Sequence, residues 1–164
     1  MKLVTFEPRD PQAVARPGEP ARLASRCGVL AERAGEPDAT APILDLPVAL
    51  AYLESSAGRP ADPASVAARY GAEMIALIEC EQAALPAIAE LLELHQRGSL
   101  PESHGGAPLL HARSAARLLS PIPRPLSMRD GYAFRQHVEA ARRNRGLPMI
   151  PEFDEIPIFY YTNH

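Results

Sequence analysis

One stretch of the chain, Ser127-Met-Arg-Asp-Gly-Tyr-Ala-Phe-Arg-Gln-His137, combines a carboxylate, a phenol and an imidazole. Ser127 and Asp130 have the spacing of a capping box, which predicts that a helix begins here. On such a helix Asp130 and His137 lie two turns apart and share one face. A carboxylate near a helix start can bind a hard cation, and a histidine further along can accept a proton. The spacing therefore predicts one edge of an active site.

These residue types also have ordinary structural explanations. Asp130 can serve only as the capping partner of Ser127, and a lone His137 is commonly a surface or core histidine. Tyr132 and Tyr160 can be core aromatics. The residue types alone are compatible with both the functional and the structural interpretation.

The charged residues that follow the motif are open to the same two interpretations. Arg142, Arg143 and Arg145 form a basic run, which commonly marks a solvated helix end favoured by the helix macrodipole. The acidic residues at 152, 154 and 155 offer oxygen ligands, but a loop position makes a solvated turn the simpler interpretation. Cys27 and Cys80 are expected to be small core residues.

Composition limits the classes of function. With 46% hydrophobic and 23% charged residues, the 164-residue chain is expected to be globular. A net charge of -3 gives no electrostatic case for binding nucleic acid. No apolar run approaches the roughly 20 residues that span a bilayer, and the N-terminus lacks the pattern of a secretory signal. We therefore expect a cytoplasmic protein with neither a nucleic acid nor a membrane as partner.

The first two thirds of the chain predict a small antiparallel sheet with helices. Short apolar segments predict three short strands, at residues 2–6, 27–31 and 43–46. Proline at a helix start, helical periodicity and glycine stops predict three helical segments, at residues 47–55, 62–70 and 72–96. Pro86 lies inside the last segment and is expected to kink or divide it.

The last third combines extended and helical segments. Residues 118–125 read as a strand that runs into proline-stiffened backbone. The helix predicted from Ser127 is stopped by Gly146 and Pro148, and residues 156–162 read as a strand.

The last third also resembles the fumarylacetoacetate hydrolase family. The resemblance rests on four ordered segments: Leu118-Leu-Ser-Pro-Ile-Pro-Arg-Pro125, Arg129-Asp-Gly-Tyr-Ala-Phe-Arg-Gln-His137, Arg145-Gly-Leu147 and Pro157-Ile-Phe-Tyr-Tyr-Thr-Asn-His164. Residues 1–6, 28–30 and 43–46 are similar to the family's small N-terminal domain. The resemblance implies an α+β fold, with a domain at 1–108 holding the small antiparallel sheet and helices. Residues 109–164 would then be the incomplete start of a mainly β catalytic domain.

The resemblance implies a metal-dependent hydrolase that cleaves a carbon–carbon bond in a β-diketo acid such as an acylpyruvate or fumarylacetoacetate, within the catabolism of aromatic compounds. Related members act as decarboxylases, lyases or isomerases. The cofactor would be Mg²⁺, Ca²⁺ or Mn²⁺, the substrate a small keto acid, and the full-length form a homodimer.

Individual roles follow from the same resemblance. Asp130 would bind the metal, and His137 would activate water. Tyr132 and Tyr160 would contact substrate. Arg145 would bind the substrate carboxylate, although Arg142 or Arg143 could serve instead.

The chain departs from the family pattern in two ways. Gly131 stands where the family has a large aromatic residue. The family's Glu-x-Glu pair, a further aspartate, a lysine and a Gly-Thr segment have no counterpart in the chain. We therefore expect a fragment that is inactive alone. The alternative is a non-catalytic interaction or oligomerisation module, in which residues 72–96 and 156–161 bury apolar surface against a partner. Self-association is expected in either case.

Overall fold

The computed structural model describes residues 1–9, 25–32, 37, 39–131, 134–156 and 158–162. The chain divides into two compact units, Met1–Pro123 and Arg124–His164. The predicted α+β class is confirmed, since the described residues combine antiparallel strands with helices. The domain boundary expected between residues 108 and 109 falls inside the first unit. None of the described helices is long and apolar enough to cross a membrane.

The described residues form nine strands and five helices. The strands are β1 (Leu3–Pro8), β2 (Arg26–Leu30), β3 (Ile43–Asp45), β4 (Ser103–His104), β5 (Ala107–Pro108), β6 (Leu110–His111), β7 (Ala116–Leu118), β8 (Met128–Gly131) and β9 (Phe159–Thr162). The helices are α1 (Leu46–Ser56), α2 (Pro63–Tyr70), α3 (Met74–Glu79), α4 (Glu81–Gln96) and α5 (Arg135–Asn144).

The first unit is built on a five-stranded antiparallel sheet in the order β6-β3-β2-β1-β7. Successive side chains of a strand point to opposite faces, so the sheet has two apolar sides. Val29 and Leu44 lie opposite each other and belong to the cluster that includes the helices. Phe6 and Ile43 belong to a second, smaller cluster. The three strands predicted near the N-terminus are confirmed, and the sheet buries apolar residues on both faces.

Both ends of helix α2 are set by residues that the sequence identifies as a helix start and a helix stop. The Asp62 side chain accepts hydrogen bonds from the backbone N–H groups of Ala64 and Ser65 at 3.1 and 3.0 Å, which caps the first turn. The helix ends at Gly71, which has a φ of 85°. A Cβ atom at this position would lie 2.3 Å from the backbone nitrogen of Leu77, so only glycine fits.

The helical run predicted at residues 72–96 is divided, but at Cys80 rather than at Pro86. Cys80 ends α3 and precedes α4, with a φ of -92° and a ψ of 19°. Helix α4 continues through Pro86, which lies near its start. A proline here removes one backbone hydrogen bond, to the carbonyl of Gln82, and the rest of the helix keeps its bonding pattern. The expected division at proline is therefore wrong in position.

A buried carboxylate joins α1 to α2. The Glu54 side chain is only 3% exposed and accepts two hydrogen bonds from the Arg59 guanidinium, both at 2.7 Å. The Tyr70 hydroxyl donates a further bond at 2.5 Å. The hydrogen bond from Arg59 is the main reason that the pKa of Glu54 is lowered from 4.5 to about 2. Because every partner stabilises the ionised form, folding and ionisation of this group favour each other.

A second buried carboxylate joins three strands of the first sheet. Asp45 is fully buried and accepts a hydrogen bond from Arg26 at 2.7 Å. The Nε2 atom of His111 lies 3.3 Å from the same carboxylate oxygen. The sequence predicts no role for His111, because this histidine has no ligand-like spacing. The structure gives His111 a place in the buried network between β3 and β6.

The helix predicted to begin at Ser127 is wrong, because residues 128–131 form strand β8. Strand β8 pairs antiparallel with β9, and the helix of this unit, α5, begins only at Arg135. The Ser127 hydroxyl accepts a hydrogen bond from the Arg129 guanidinium at 3.1 Å instead of capping a helix. Pairing with a distant segment has thus prevailed over the local capping pattern. The predicted strand at 156–162 is confirmed in its second half, as β9.

Candidate functional site

The candidate site is built on the two-stranded β8–β9 sheet, called the β8–β9 ribbon below. Its antiparallel register places Asp130 directly opposite Tyr160, and Arg129 directly opposite Tyr161. Directly opposed residues project to the same side, and adjacent residues project to opposite sides. Asp130 and Tyr160 therefore share one face of the ribbon, and Arg129 shares the other face with Tyr161 and Phe159.

Asp130 and Tyr160 share the face of the ribbon whose side chains are best suited to bind a ligand. Both side chains are exposed to solvent. Opposed residues in an antiparallel pair have Cβ atoms about 4.5–5.5 Å apart, so the carboxylate and the phenol can reach one small ligand together. The carboxylate offers oxygen ligands to a cation, and the phenol offers an O–H donor to a carbonyl or enolate oxygen. Two of the predicted site residues are thus brought together by strand pairing.

The opposite face of the ribbon stacks a cation on two aromatic rings. The Arg129 guanidinium lies 5.0 Å from the centre of the Tyr161 ring and 5.7 Å from that of Phe159. The two rings meet edge to face, with centres 5.5 Å apart. Such contacts contribute about 0.5–1 kcal/mol each at exposed sites. No local pattern predicts a role for Arg129, because its place on this face follows from the pairing of β8 with β9.

His137 does not share a helical face with Asp130, contrary to the prediction. Asp130 lies in β8, whereas His137 lies in the first turn of α5, where its backbone N–H donates to the Phe134 carbonyl at 3.0 Å. The periodicity argument required one continuous helix from Ser127, and that helix does not form. The His137 side chain is exposed to solvent.

The arginines at the end of α5 differ in their surroundings. The Arg142 Nε atom donates a hydrogen bond to the Pro148 carbonyl at 2.5 Å. This side chain is therefore bound to the backbone of the segment that follows the helix. Arg143 and Arg145 are exposed, and Arg145 ends the helix. Among the three candidates for binding a substrate carboxylate, Arg143 and Arg145 are therefore better placed to meet a ligand from solvent. Tyr132, the remaining predicted substrate contact, lies outside the described residues.

Acidic side chains near α5 are partly used in ion pairs. Arg135 pairs with Asp154, and its Nε atom donates to Glu139 at 2.8 Å. These contacts, led by the hydrogen bond to Asp154, raise the pKa of Arg135. Asp154, considered above as an oxygen ligand, is thus engaged by a cation. Glu152 and Glu155 are exposed in the turn around it, in agreement with a solvated acidic turn.

The described residues do not by themselves make a closed metal site. Hard divalent cations take six to eight oxygen ligands, mostly from carboxylates, carbonyls and water. In the part of the chain that the structure describes, no group of three or more His, Cys, Asp or Glu side chains is arranged to hold a metal ion. Asp130 can supply one ligand, and the remaining ligands would come from outside these residues.

Cys27 is excluded as a nucleophile by its surroundings. The side chain is buried in the core cluster of the first unit. Burial is the main cause that raises the pKa of its thiol to about 11, with smaller contributions from Glu73 and Asp45. The thiol therefore stays protonated at neutral pH, and Cys27 is a small core residue as expected.

Comparison with known proteins identifies no family for the chain. No protein-family model, no curated protein and no solved structure matches the chain. The resemblance to the fumarylacetoacetate hydrolase family therefore remains a hypothesis carried by the sequence segments quoted above.

Proposed function

We propose that this chain supplies one edge of a metal-dependent hydrolase site that cleaves a carbon–carbon bond in a β-diketo acid. Acylpyruvates and fumarylacetoacetate are the substrate class that the family resemblance suggests. The observation that carries the proposal is the position of Asp130 directly opposite Tyr160, with both side chains exposed on one face of the β8–β9 ribbon. Two groups that the resemblance assigns to metal and substrate are therefore neighbours, although they are distant in sequence.

Each residue has a role that suits its chemistry. Asp130 contributes one oxygen ligand to a hard divalent cation, Mg²⁺, Ca²⁺ or Mn²⁺. The Tyr160 hydroxyl donates a hydrogen bond to a substrate oxygen. His137 accepts a proton from the attacking water, a role that suits a solvent-accessible imidazole.

The substrate carboxylate is assigned to an arginine. A guanidinium can hold a carboxylate with two parallel hydrogen bonds, and Arg145 is exposed at the end of α5. Arg143 is the nearest alternative, because it is exposed as well. The proposal also includes a cytoplasmic location and a homodimeric full-length form.

The incomplete ligand set has a direct consequence for activity. The described residues furnish one metal-binding carboxylate at this site, so we expect no measurable acylpyruvate hydrolysis by this chain alone, even with added metal. Turnover that is abolished in His137→Ala would show this expectation to be wrong. Binding should nevertheless be measurable, since it requires fewer groups than catalysis.

The test is a binding titration with a small acylpyruvate in the presence and absence of Mg²⁺, followed by NMR. The proposal predicts weak binding that is stronger with Mg²⁺ and that falls roughly tenfold in Asp130→Asn, the loss of one charge-assisted contact. Tyr160→Phe should weaken binding at both metal concentrations. Tyr161→Phe is the matched control, because it removes the same hydroxyl from the opposite face. Equal binding by wild type and all three variants would contradict the proposal.

A further inference from the structure

One face of the β8–β9 ribbon has a gap among its side chains. This face, called the arginine face below, carries two opposed pairs: Arg129 with Tyr161, and Gly131 with Phe159. Three of these four positions hold a large side chain, and Gly131 holds none. In the described part of the chain, no heavy atom other than those of its chain neighbours lies within 4 Å of the place where a Cβ atom of Gly131 would be. The arginine face therefore has a gap that one side chain would fill.

The backbone does not require glycine at this position. Gly131 has no positive φ, so its conformation is one that other residues adopt as well. Glycine in a strand weakens the sheet, and it commonly marks a place where a ligand or another backbone approaches closely. The space left open beside Phe159, rather than the backbone conformation, is therefore what distinguishes Gly131 from other residues at this position.

The guanidinium beside the gap is held in place without an ion pair. Arg129 Nη1 donates to the Ser127 hydroxyl at 3.1 Å, and the guanidinium lies over the rings of Tyr161 and Phe159. None of the described carboxylates lies within ion-pair distance of it. Arginine has five N–H donors, and contact with a ring uses its charge rather than these donors. Arg129 is therefore able to bind a carboxylate from solution through two parallel hydrogen bonds.

We propose that the arginine face binds a small aromatic carboxylate in the gap at Gly131. The ring of the ligand takes the place of the missing side chain and packs against Phe159, and its carboxylate accepts hydrogen bonds from Arg129. Opposed positions of an antiparallel pair have Cβ atoms about 4.5–5.5 Å apart, a separation at which aromatic rings pack well. Gly131 and Arg129 are two residues apart on one strand, or roughly 6.5 Å, so one small ligand can reach both.

The surroundings of the gap favour a ligand that combines a ring with a negative charge. Acetate can meet the Arg129 guanidinium, but it leaves the Phe159 ring, which is 40% exposed, uncovered. Benzamide can cover this ring, but a charge-assisted hydrogen bond is about twice as strong as the neutral one that benzamide accepts. Benzoate offers both groups. This inference does not depend on the hydrolase proposal, because the arginine face lies opposite to the face of Asp130 and needs no metal.

The test is an NMR titration of the full chain with benzoate, in the presence of a chelator that removes metal. In the wild type, the amide signals of Arg129, Gly131, Phe159 and Tyr161 should shift and reach saturation, with a dissociation constant of roughly 1–10 mM. Arg129→Gln should raise this constant at least roughly tenfold, through the loss of the charge-assisted contact. Arg97→Gln is the matched control: it removes the same charge from a side chain that is 70% exposed on α4, and it should leave the constant unchanged.

A second variant fills the gap itself. Gly131→Val places a side chain where the ring of the ligand would lie, so it should weaken benzoate binding at least roughly tenfold. Protection of the amides at 128–131 from hydrogen exchange shows that the ribbon of this variant is folded. Acetate and benzamide should each bind the wild type at least roughly tenfold more weakly than benzoate.

Several outcomes would overturn the proposal. Benzoate that binds equally to the wild type and to Arg129→Gln or Gly131→Val has no need of the guanidinium or of the gap. An equal loss in Arg97→Gln would reveal a general effect of charge. Signals that never saturate, shifts centred outside the β8–β9 ribbon, or binding of acetate or benzamide as strong as that of benzoate would each exclude the site as well.

Discussion

Asp130 lies directly opposite Tyr160 in the antiparallel pair formed by β8 and β9. This relationship places a carboxylate and a phenol side by side on a solvent-exposed face, and it depends on strand pairing rather than on helical periodicity. On the opposite face of the ribbon, the Arg129 guanidinium stacks on Phe159 and Tyr161. One short ribbon therefore positions two of the candidate binding groups.

The first prediction concerns the dependence of stability on pH. Folding lowers the pKa of Glu54 from 4.5 to about 2, with the hydrogen bond from Arg59 as the main cause. A lowered carboxyl pKa stabilises the fold fully above pH 4.5, and this contribution is lost as the pH falls towards 2. Glu54→Gln should therefore cost about 1–3 kcal/mol at pH 7 and progressively less below pH 4.5. Urea unfolding at several pH values measures this difference.

The control for Glu54 is an ion pair of similar chemistry at the surface. Glu93 pairs with Arg97 at 3.1 Å, and both side chains are largely exposed. Glu93→Gln should change the free energy of unfolding by less than about 0.5 kcal/mol at any pH, because exposed pairs contribute little. Equal and pH-independent effects of the two substitutions would exclude a stabilising role for the Glu54 network.

The second prediction separates backbone strain from steric overlap at two glycines. Gly71 and Gly98 both have positive φ values, of 85° and 68°. A Cβ atom at Gly71 would lie 2.3 Å from the Ala76 carbonyl carbon, whereas at Gly98 no heavy atom lies within 4 Å. Gly98→Ala should cost about 1 kcal/mol from the unfavourable φ alone, and Gly71→Ala should cost at least about 2 kcal/mol more. Similar thermal unfolding of both variants would contradict this account of the α2–α3 connection.

The third prediction concerns the glycine that departs from the family pattern. Gly131 ends β8 opposite Phe159, has no positive φ, and has open space where a Cβ atom would lie. Gly131→Val should therefore stabilise the β8–β9 ribbon by about 0.5–1 kcal/mol, through a less flexible unfolded chain and a new contact with Phe159. Hydrogen exchange of the amides at 128–131 should slow by the corresponding factor. Faster exchange in this variant would show that the position requires glycine.

The elements of the first unit could be predicted because their signals are local. Short apolar segments indicated β1, β2 and β3, and Asp62 with Gly71 indicated the ends of α2. The short strands β6 and β7 could not be predicted, because strands of two or three residues carry too little pattern. Their place in the sheet is set by pairing with distant strands, which no local window contains.

In the candidate site, too, local signals were present in the sequence, whereas contacts between distant segments could not be predicted. The sequence supplied the candidate residues, but it did not predict their arrangement. Ser127 and Asp130 fit the spacing of a helix start, yet the segment that decides the structure of β8 is β9, far away in the sequence. The expected Asp130–His137 face is therefore replaced by the Asp130–Tyr160 pair. The buried contact between Asp45 and His111 escaped prediction for the same reason.

The most direct test of the central claim is paramagnetic broadening of NMR signals by Mn²⁺. If Asp130 and Tyr160 form one ligand-binding face, low concentrations of Mn²⁺ should broaden the signals of both residues first, and Asp130→Asn should abolish the broadening at Tyr160. Glu152→Gln, which removes a nearby exposed carboxylate outside the ribbon, should leave it unchanged. Broadening at Tyr160 that persists in Asp130→Asn, or that is lost only in Glu152→Gln, would contradict the claim.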